Sequence, residues 1–212
     1  MNSRLLRIIA PVAGALALVA AALLLLSSNA LPFTKKATAT TPELDLGKDP
    51  APSFQLTNQD GQPVGLNDLR GKVVVVAFLY TDCPDVCPII ANKMGIAHDQ
   101  LGARASDVAF VAISVDPTND TVPKVHQFLA ERNLIGKMTF LTGDAPTLQT
   151  IWTSYHVAVI PQAGGTPQAG GGKVAHNDAL FVIDKSGRER WLVDSDFTPD
   201  RLKKLVADLL SE

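Results

Sequence analysis

The only two cysteines of this 212-residue chain, Cys83 and Cys87, lie four positions apart in the stretch Tyr80-Thr81-Asp82-Cys83-Pro84-Asp85-Val86-Cys87-Pro88. Two thiols at this spacing can come close enough to form a disulfide, or can both bind one metal ion. The spacing alone does not choose between these chemistries. A disulfide that only closes so short a loop would add little stability, because it removes little entropy from the unfolded chain.

The prolines beside the cysteines predict where the pair lies. Cys83 precedes Pro84, which disfavours helical backbone, so we expect Cys83 to close a strand. Pro88 suits the first position of a helix, with Cys87 immediately before it. The unpaired amides of that helix start carry partial positive charge, which is expected to favour the thiolate form of Cys87.

The segments on either side of the pair predict an α/β sheet. The apolar run 73–80 indicates a strand buried on both faces, and the apolar spacing after Pro88 predicts a helix to about Gly102. A second buried strand over 108–115 makes this a parallel, right-handed crossover. Both strands end in loops at the same edge, where open α/β sheets build their sites. Asp116 follows the second strand, either near that site or as a cap of the next helix.

The rest of the chain predicts a mixed sheet flanked by helices. His176 stands just before a strand that begins a hairpin, and a glycine-rich insertion, expected to be mobile, precedes it at 161–172. This order is typical of a thioredoxin-like domain over residues 50–212. The other predicted elements are a hairpin near Asp60-Gly61, helices at 123–133 and 145–155, a weak strand at 138–142, strands at 179–184 and 189–193, and a helix from Pro199 capped by Thr198.

The N-terminal region predicts a membrane anchor. Arg4 and Arg7 precede an uncharged apolar run from Ile8 to Leu26. We therefore expect residues 1–7 in the cytoplasm, a single transmembrane helix at 8–28 and a flexible tether at 29–49. A signal peptide cleaved near Ala30 is the alternative. Either way the domain lies outside the cytoplasm, and the pattern favours the periplasmic side of a bacterial inner membrane. The net charge of −2 argues against a nucleic-acid partner.

Several motifs in order resemble the SCO/SenC family of copper-binding proteins. They are Thr81-Asp82-Cys83-Pro84-Asp85-Val86-Cys87-Pro88, Ser114-Val115-Asp116-Pro117 continuing to Asp120-Thr121, Leu141-Thr142-Gly143, and His176 followed by Leu180-Phe181-Val182-Ile183-Asp184. The resemblance runs from about Phe54 to the end of the chain. Asn119 and Asn177 stand where the family commonly has a basic and a hydroxyl residue, which concerns partner contacts more than metal binding.

The resemblance implies a membrane-tethered metallochaperone rather than an enzyme. One copper ion, as Cu(I) or Cu(II), would be bound by Cys83, Cys87 and His176, with Asp116 beside the metal. The expected partner is the subunit of cytochrome c oxidase that carries its dinuclear copper site. This chain would load that site with copper or reduce its cysteines, and a periplasmic copper donor or thiol reductant would supply it.

The residues leave other chemistries open. Soft sulfur ligands favour Cu(I) and imidazole also accepts Cu(II), although zinc could use the same three ligands. A thiol-disulfide oxidoreductase would need only Cys83 and Cys87, as a redox-active disulfide, although such enzymes usually have two residues between the cysteines. A peroxidase of the peroxiredoxin kind fits least, because Thr81 is two rather than three positions ahead of Cys83. The other histidines, expected on or just after helices and away from the metal, are His98, His126 and His156.

Overall fold

The computed structural model describes residues 43–161, 174–176 and 178–212. The predicted anchor at 8–28 and the glycine-rich insertion from residue 162 onward lie outside the described residues, as does the predicted tether up to residue 42. Within the described ranges, no helix is long and apolar enough to cross a membrane.

Strands and α-helices alternate between residues 73 and 154, as predicted. The helices are α1 (Val86–Leu101), α2 (Val122–Glu131), α3 (Ala145–Ser154) and α4 (Pro199–Leu210). The strands are β1 (Leu44–Asp45), β2 (Gln55–Thr57), β3 (Pro63–Gly65), β4 (Val73–Leu79), β5 (Val108–Ser114), β6 (Thr139–Leu141), β7 (Val159–Pro161), β8 (Val174–His176), β9 (Leu180–Ile183) and β10 (Glu189–Val193).

The described part of the chain forms a six-stranded central sheet in the order β1-β10-β9-β4-β5-β6. Strands β4, β5 and β6 are parallel, whereas β9 is antiparallel to β4 and β10 is antiparallel to β9. The predicted mixed sheet is therefore confirmed. Because β4, β5 and β6 run in the same direction, the loops that follow them all leave from one edge of the sheet.

Strand β4 lies near the middle of this sheet and is buried along its whole length. Its four consecutive valines suit a strand covered on both faces, because β-branched side chains pack well on a pleated surface. Helix α4 contacts β4, and α1 packs against both α4 and β5. This burial holds the end of β4 in place, and the cysteine loop begins there.

Helix α1 begins earlier than the sequence predicts. Its first residue is Val86, so Cys87 and Pro88 both lie inside its first turn. Proline is tolerated there because the amides of the first turn have no acceptor within the helix. The predicted end is confirmed, since Gly102 follows the helix with a φ of 58°.

The sheet extends into the stretch predicted to be tether. Leu44 and Asp45 form strand β1, which pairs with Leu192 and Trp191 of β10. The guanidinium of Arg201 in α4 binds the carboxylate of Glu43 just before this strand. The folded domain thus begins at least seven residues before the expected boundary at residue 50.

The opposite edge of the sheet is covered by the segment around β2. Thr57 and Thr142 form a backbone bridge with hydrogen bonds of 2.9 and 2.8 Å. The amide of Phe140 donates to the side-chain oxygen of Gln59 over 3.1 Å. These contacts occupy backbone groups at and next to β6 that would otherwise face solvent.

Candidate metal centre

Cys83 and Cys87 lie in and just after the loop that joins β4 to α1. Both are free thiols, and Cys83 keeps 9% of its surface exposed while Cys87 keeps 0%. The backbone amide of Cys87 donates a hydrogen bond to the Cys83 sulfur over 3.4 Å. The sulfur of Cys83 thus accepts a hydrogen bond from one of the unpaired amides at the start of α1. The side chain of the N-cap residue, Asp85, makes no such bond.

Cys83 is the cysteine held as a thiolate. A hydrogen bond from the Cys87 thiol, with others from the Asp85 and Cys87 amides and the Tyr80 side chain, lowers the pKa of Cys83 to about 5. Conversely, that same hydrogen bond to Cys83, followed by burial and the charge of Cys83, raises the pKa of Cys87. The prediction of a Cys87 thiolate is therefore wrong, because the Cys87 thiol donates to the Cys83 sulfur and the Cys87 amide points at that same sulfur.

The chain returns to this edge of the sheet through His176. Strand β9 runs antiparallel to β4, and its first residue, Leu180, pairs with Ala77 near the end of β4. His176 ends β8, four residues before Leu180, and its backbone is in register with Val159 of β7. Asp178 lies between His176 and Leu180 in the sequence, and its charge also contributes to the raised pKa of Cys87.

The side chain of His176 lies outside the described part of the structure, so its ligand role stays a prediction. Among the side chains described elsewhere in the chain, no group of three or more His, Cys, Asp and Glu residues is arranged to hold a metal ion. The dithiol is therefore the part of the predicted ligand set that the structure brings together.

Asp116 lies in the loop after β5, on the same edge as the cysteines. It is 6% exposed, and its carboxylate accepts a hydrogen bond from the Asn119 side chain over 2.7 Å. It does not cap the next helix, because the N-cap of α2 is Thr121. Its predicted place beside a bound metal stays a prediction.

Sequence reasoning missed Asp120, which contacts the cysteine loop directly. Its carboxylate, 1% exposed, accepts hydrogen bonds from the amide and the hydroxyl of Thr81 over 2.9 and 2.6 Å. It also accepts one from the hydroxyl of Ser114 over 2.6 Å. Burial raises the pKa of Asp120 despite these bonds. The sequence signal was present, since Asp120 stands in the same motif as Asp116.

A charged cleft of about 220 Å³ flanks the cysteine loop on the side of α2. At its wall, the ammonium of Lys124 binds both carboxylate oxygens of Asp82, over 3.1 and 3.2 Å. The remaining lining residues are Thr81, Gln127, Phe128, Glu131 and Arg132.

The other histidines lie where the sequence predicts them. His98 is in α1, where its ring contacts Phe110 and its Nδ1 lies 3.3 Å from Asp99. His126 is on the exposed side of α2, and His156 follows α3 with a φ of 55°.

The fold and this loop define a class, a thioredoxin-like mixed α/β domain with a dithiol at the carboxyl edge of its central sheet. Within that class the chain belongs to the SCO1/SenC family, whose sequence model matches residues 43–211. The resemblance and the fold predicted from the sequence are thereby confirmed.

Individual relatives agree with this assignment. The chain is 37% identical over 134 residues to Protein SCO1 homolog 1, mitochondrial, of Arabidopsis thaliana, an alignment that covers 63% of this chain and 36% of that protein. The structure of Bradyrhizobium japonicum ScoI with copper bound has a TM-score of 0.67 at 28% identity, and covers 76% of this chain and 99% of that one. A SCO1/SenC family lipoprotein from Bacillus anthracis str. Ames has a TM-score of 0.68 at 27% identity, with 82% and 100% covered.

The share of each relative's length that this chain matches differs between relatives. The matched region makes up 66%, 36% and 68% of the lengths of the proteins from Rickettsia typhi, Arabidopsis thaliana and Bacillus subtilis.

Proposed function

We propose that this protein is a copper metallochaperone that binds one copper ion through Cys83, Cys87 and His176. The observation that carries the proposal is the reduced dithiol, in which Cys83 accepts hydrogen bonds as a thiolate at the edge where the chain returns through His176. Copper bound to the related ScoI of Bradyrhizobium japonicum supports the choice of metal.

The donor set suits copper in both common oxidation states. Thiolates select Cu(I), and imidazole also accommodates Cu(II). One thiolate is already present at neutral pH, so binding needs to remove only the proton of Cys87. The negative charges of Asp116 and Asp178 would favour binding of the positively charged copper ion.

The chemistry of copper transfer follows from the ligands that this chain supplies. The copper ion is cargo, held by one sulfur that is fully buried, that of Cys87, and one that is nearly so, that of Cys83. Cys83 retains some exposure, so a partner's thiols can approach it and replace the ligands one by one. We infer that the acceptor is the copper-site subunit of cytochrome c oxidase, the role that the family resemblance implies.

A second function, thiol-disulfide exchange, is favoured by the division of protons between the two cysteines. An attacking thiolate beside a protonated partner is the arrangement that such exchange requires. In this reaction, Cys83 would attack a partner disulfide and form a mixed disulfide. Cys87 would then lose its proton and resolve it, leaving Cys83 and Cys87 oxidised and the partner reduced by two electrons.

A titration separates the two functions. The reduced protein is titrated with Cu(I) in competition with a chromophoric chelator, alongside His176→Ala and the exposed-histidine control His126→Ala. A metallochaperone binds one ion tightly, and loss of the His176 ligand weakens binding by more than about a hundredfold, since even the loss of residues behind the ligands costs 10 to 100-fold. The control keeps the affinity of the wild type.

The same variants are then mixed with oxidised glutathione. If His176→Ala exchanges disulfides at the wild-type rate and also keeps full copper affinity, the three-ligand proposal is wrong and the dithiol acts alone. If it loses copper affinity and keeps exchange, copper binding is the property that needs the histidine.

We also propose that residues 8–28 anchor the domain to the inner membrane of a bacterium, with the domain in the periplasm. Fractionation of cells that express the full chain tests this. The protein is expected to stay with membranes after alkaline carbonate washing, and protease added to spheroplasts should degrade the domain. Release of the protein by osmotic shock alone would instead indicate a cleaved signal peptide.

A further inference from the structure

Asp120 joins three loops at the edge of the sheet that carries the cysteines. Its carboxylate binds Thr81 in the loop after β4 and Ser114 at the end of β5. Its carbonyl oxygen accepts a hydrogen bond from the hydroxyl of Thr142, just after β6, over 2.5 Å. Asp120 thus contacts all three loops, in addition to the backbone bond from the Val115 amide to the Leu79 carbonyl over 3.0 Å.

The Asp120 carboxylate is buried, and its hydrogen bonds offset the cost of that burial. At 1% exposure it has lost nearly all contact with water, and a buried charge without hydrogen bonds would cost several kcal/mol. One oxygen takes both hydrogen bonds from Thr81, and the other takes the bond from Ser114. Both oxygens of the carboxylate are therefore hydrogen-bonded, and they hold Thr81 close to the end of β5.

Thr81 stands two residues before Cys83 in the loop. Fixing both the amide and the hydroxyl of Thr81 determines where the chain starts toward Cys83. The other end of the loop is fixed by helix α1, which supplies the Cys87 amide that binds the Cys83 sulfur. Asp120 therefore controls one of the two ends between which the dithiol is held.

We propose that Asp120 is a positioning residue for the dithiol, acting through Thr81 to hold the Cys83 sulfur against Cys87. The inference deepens the proposed copper site, and its copper measurement rests on that proposal. A second measurement, the equilibrium of the dithiol with oxidised glutathione, needs no metal and is independent of it. In that equilibrium, the reduced pair and oxidised glutathione give the Cys83–Cys87 disulfide and two molecules of reduced glutathione, so two electrons and two protons pass to glutathione.

The main variant is Asp120→Asn, which keeps the size of the side chain. Its amide nitrogen cannot accept: facing Thr81 it loses the bond from the Thr81 amide, and facing Ser114 it reverses the bond from that hydroxyl. In either orientation the negative charge that strengthened the bonds to Thr81 is gone. With the loop released, the two sulfurs meet less often. We expect Cu(I) affinity to fall about tenfold, and the glutathione equilibrium to shift about tenfold toward the dithiol, the ratio expected for losing one bond to a charged group.

Two further variants make the test specific. Asp144→Asn makes the same chemical change at an exposed carboxylate that caps α3 by accepting the Thr147 amide over 2.9 Å. Because asparagine caps a helix about as well as aspartate, this control should stay folded and leave copper affinity and the glutathione equilibrium within about twofold of the wild type. Thr81→Val removes the hydroxyl bond alone, so Asp120→Asn should have a smaller effect in that background than in the wild type.

The outcomes are decisive in each case. The proposal is overturned if folded Asp120→Asn has a lower melting temperature but the copper affinity and glutathione equilibrium of the wild type, or if its effects simply add to those of Thr81→Val. If Asp120→Asn does not fold, Thr81→Val must shift the glutathione equilibrium and Thr81→Ser, which keeps the hydroxyl, must not. Failure of the wild type to bind copper would refute the proposed function and leave the glutathione result standing.

Discussion

The backbone amide of Cys87 points at the sulfur of Cys83, 3.4 Å away. The two cysteines are unequal, since the Cys83 sulfur accepts this bond and another from the Cys87 thiol. This inequality bears on both proposed functions, because a metal ligand and a nucleophile each require a thiolate.

The first prediction concerns thiol reactivity. In the reduced, metal-free protein, iodoacetamide should modify Cys83 and spare Cys87. Because hydrogen bonds lower the pKa of Cys83 to about 5, its rate should be nearly constant from pH 7 to 9 and fall as the pH decreases through about 5. Timed alkylation followed by peptide mass spectrometry measures both sites. A Cys83 rate that is still rising at pH 9 would contradict the assignment.

A matched pair of variants tests the cause of that low pKa. Cys87→Ala removes the donor that contributes most to lowering the pKa of Cys83, so the midpoint of the alkylation profile should move up. Cys87→Ser keeps an O–H donor at the same place and should move the midpoint less. Equal midpoints in the two variants would show that the helix amides, rather than the neighbouring side chain, stabilise the thiolate.

The second prediction concerns the ion pair between Glu43 and Arg201. Arg201 Nε donates to Glu43 over 2.8 Å, and this pairing lowers the pKa of Glu43 to about 2 from 4.5. A lowered pKa gives stability that is fully present above 4.5 and is lost as the pH falls through about 2. Since both side chains are 21% exposed, Glu43→Gln should cost about 1–2 kcal/mol at pH 7 after allowance for solvent screening.

Urea unfolding at several pH values measures this cost. The difference between Glu43→Gln and the wild type should shrink as the pH falls from 5 toward 2, where Glu43 becomes protonated. Asp208→Asn is the control, because its pair with Lys204 on the same helix is exposed, at 76% and 61% for Lys204 and Asp208. We expect that control to change the unfolding free energy little at any pH.

The third prediction concerns the close approach of Gly95 in α1 to Leu134. A Cβ atom at Gly95 would lie 2.4 Å from Cδ2 of the buried Leu134, so overpacking in Gly95→Ala should cost about 1–3 kcal/mol. The better helix propensity of alanine offsets about 1 kcal/mol of this, which leaves a net loss of up to about 2 kcal/mol. Asn92→Ala, on the exposed side of the same helix, should cause no loss. Thermal unfolding of Gly95→Ala together with Leu134→Ala checks the cause, because removing the contacting side chain should abolish the extra cost of the alanine.

The fourth prediction concerns Tyr155, which ties α3 to the segment before β2. Its hydroxyl donates to the carbonyl of Pro52 over 2.8 Å, while its ring packs against Phe78 and Phe181 with centroids 5.4 and 5.1 Å away. Tyr155→Phe removes only the hydrogen bond and should cost about 1 kcal/mol in chemical denaturation. Tyr155→Leu should cost more, because the aromatic contacts are lost as well. Equal losses in the two variants would assign the whole effect to the hydroxyl.

Long, uniform segments could be predicted from the sequence, because local pattern decides their structure. The valine run of β4 and the apolar spacing of α1 gave elements within two residues of those observed. Strand β1 could not be predicted in this way. Glu43-Leu44-Asp45-Leu46 alternates polar and apolar residues over only four positions, too short a run to predict a strand. Leu44 and Asp45 form one because β10 lies beside them.

The site was predictable in part for the same reason. A cysteine pair after a buried strand indicates a dithiol at the sheet edge, and the structure confirms that placement. Which sulfur is the thiolate depends on which thiol donates to the other and on where the nearby amides point, and no sequence pattern reports either. The proposed role of Asp120 depends on its contact with Thr81, 39 positions away. No local pattern reports that contact, so sequence reasoning singled out Asp116 and not Asp120.

The central sheet finishes in its shortest strands, two residues in β1 on one side and three in β6 on the other. A neighbouring molecule that tried to continue the sheet would find few free backbone groups at either margin, since Gln59 and Thr57 already occupy groups beside β6. Strand addition between molecules is thus disfavoured. We expect concentrated preparations of the domain to resist fibre growth, even though its most apolar strand is a run of consecutive valines.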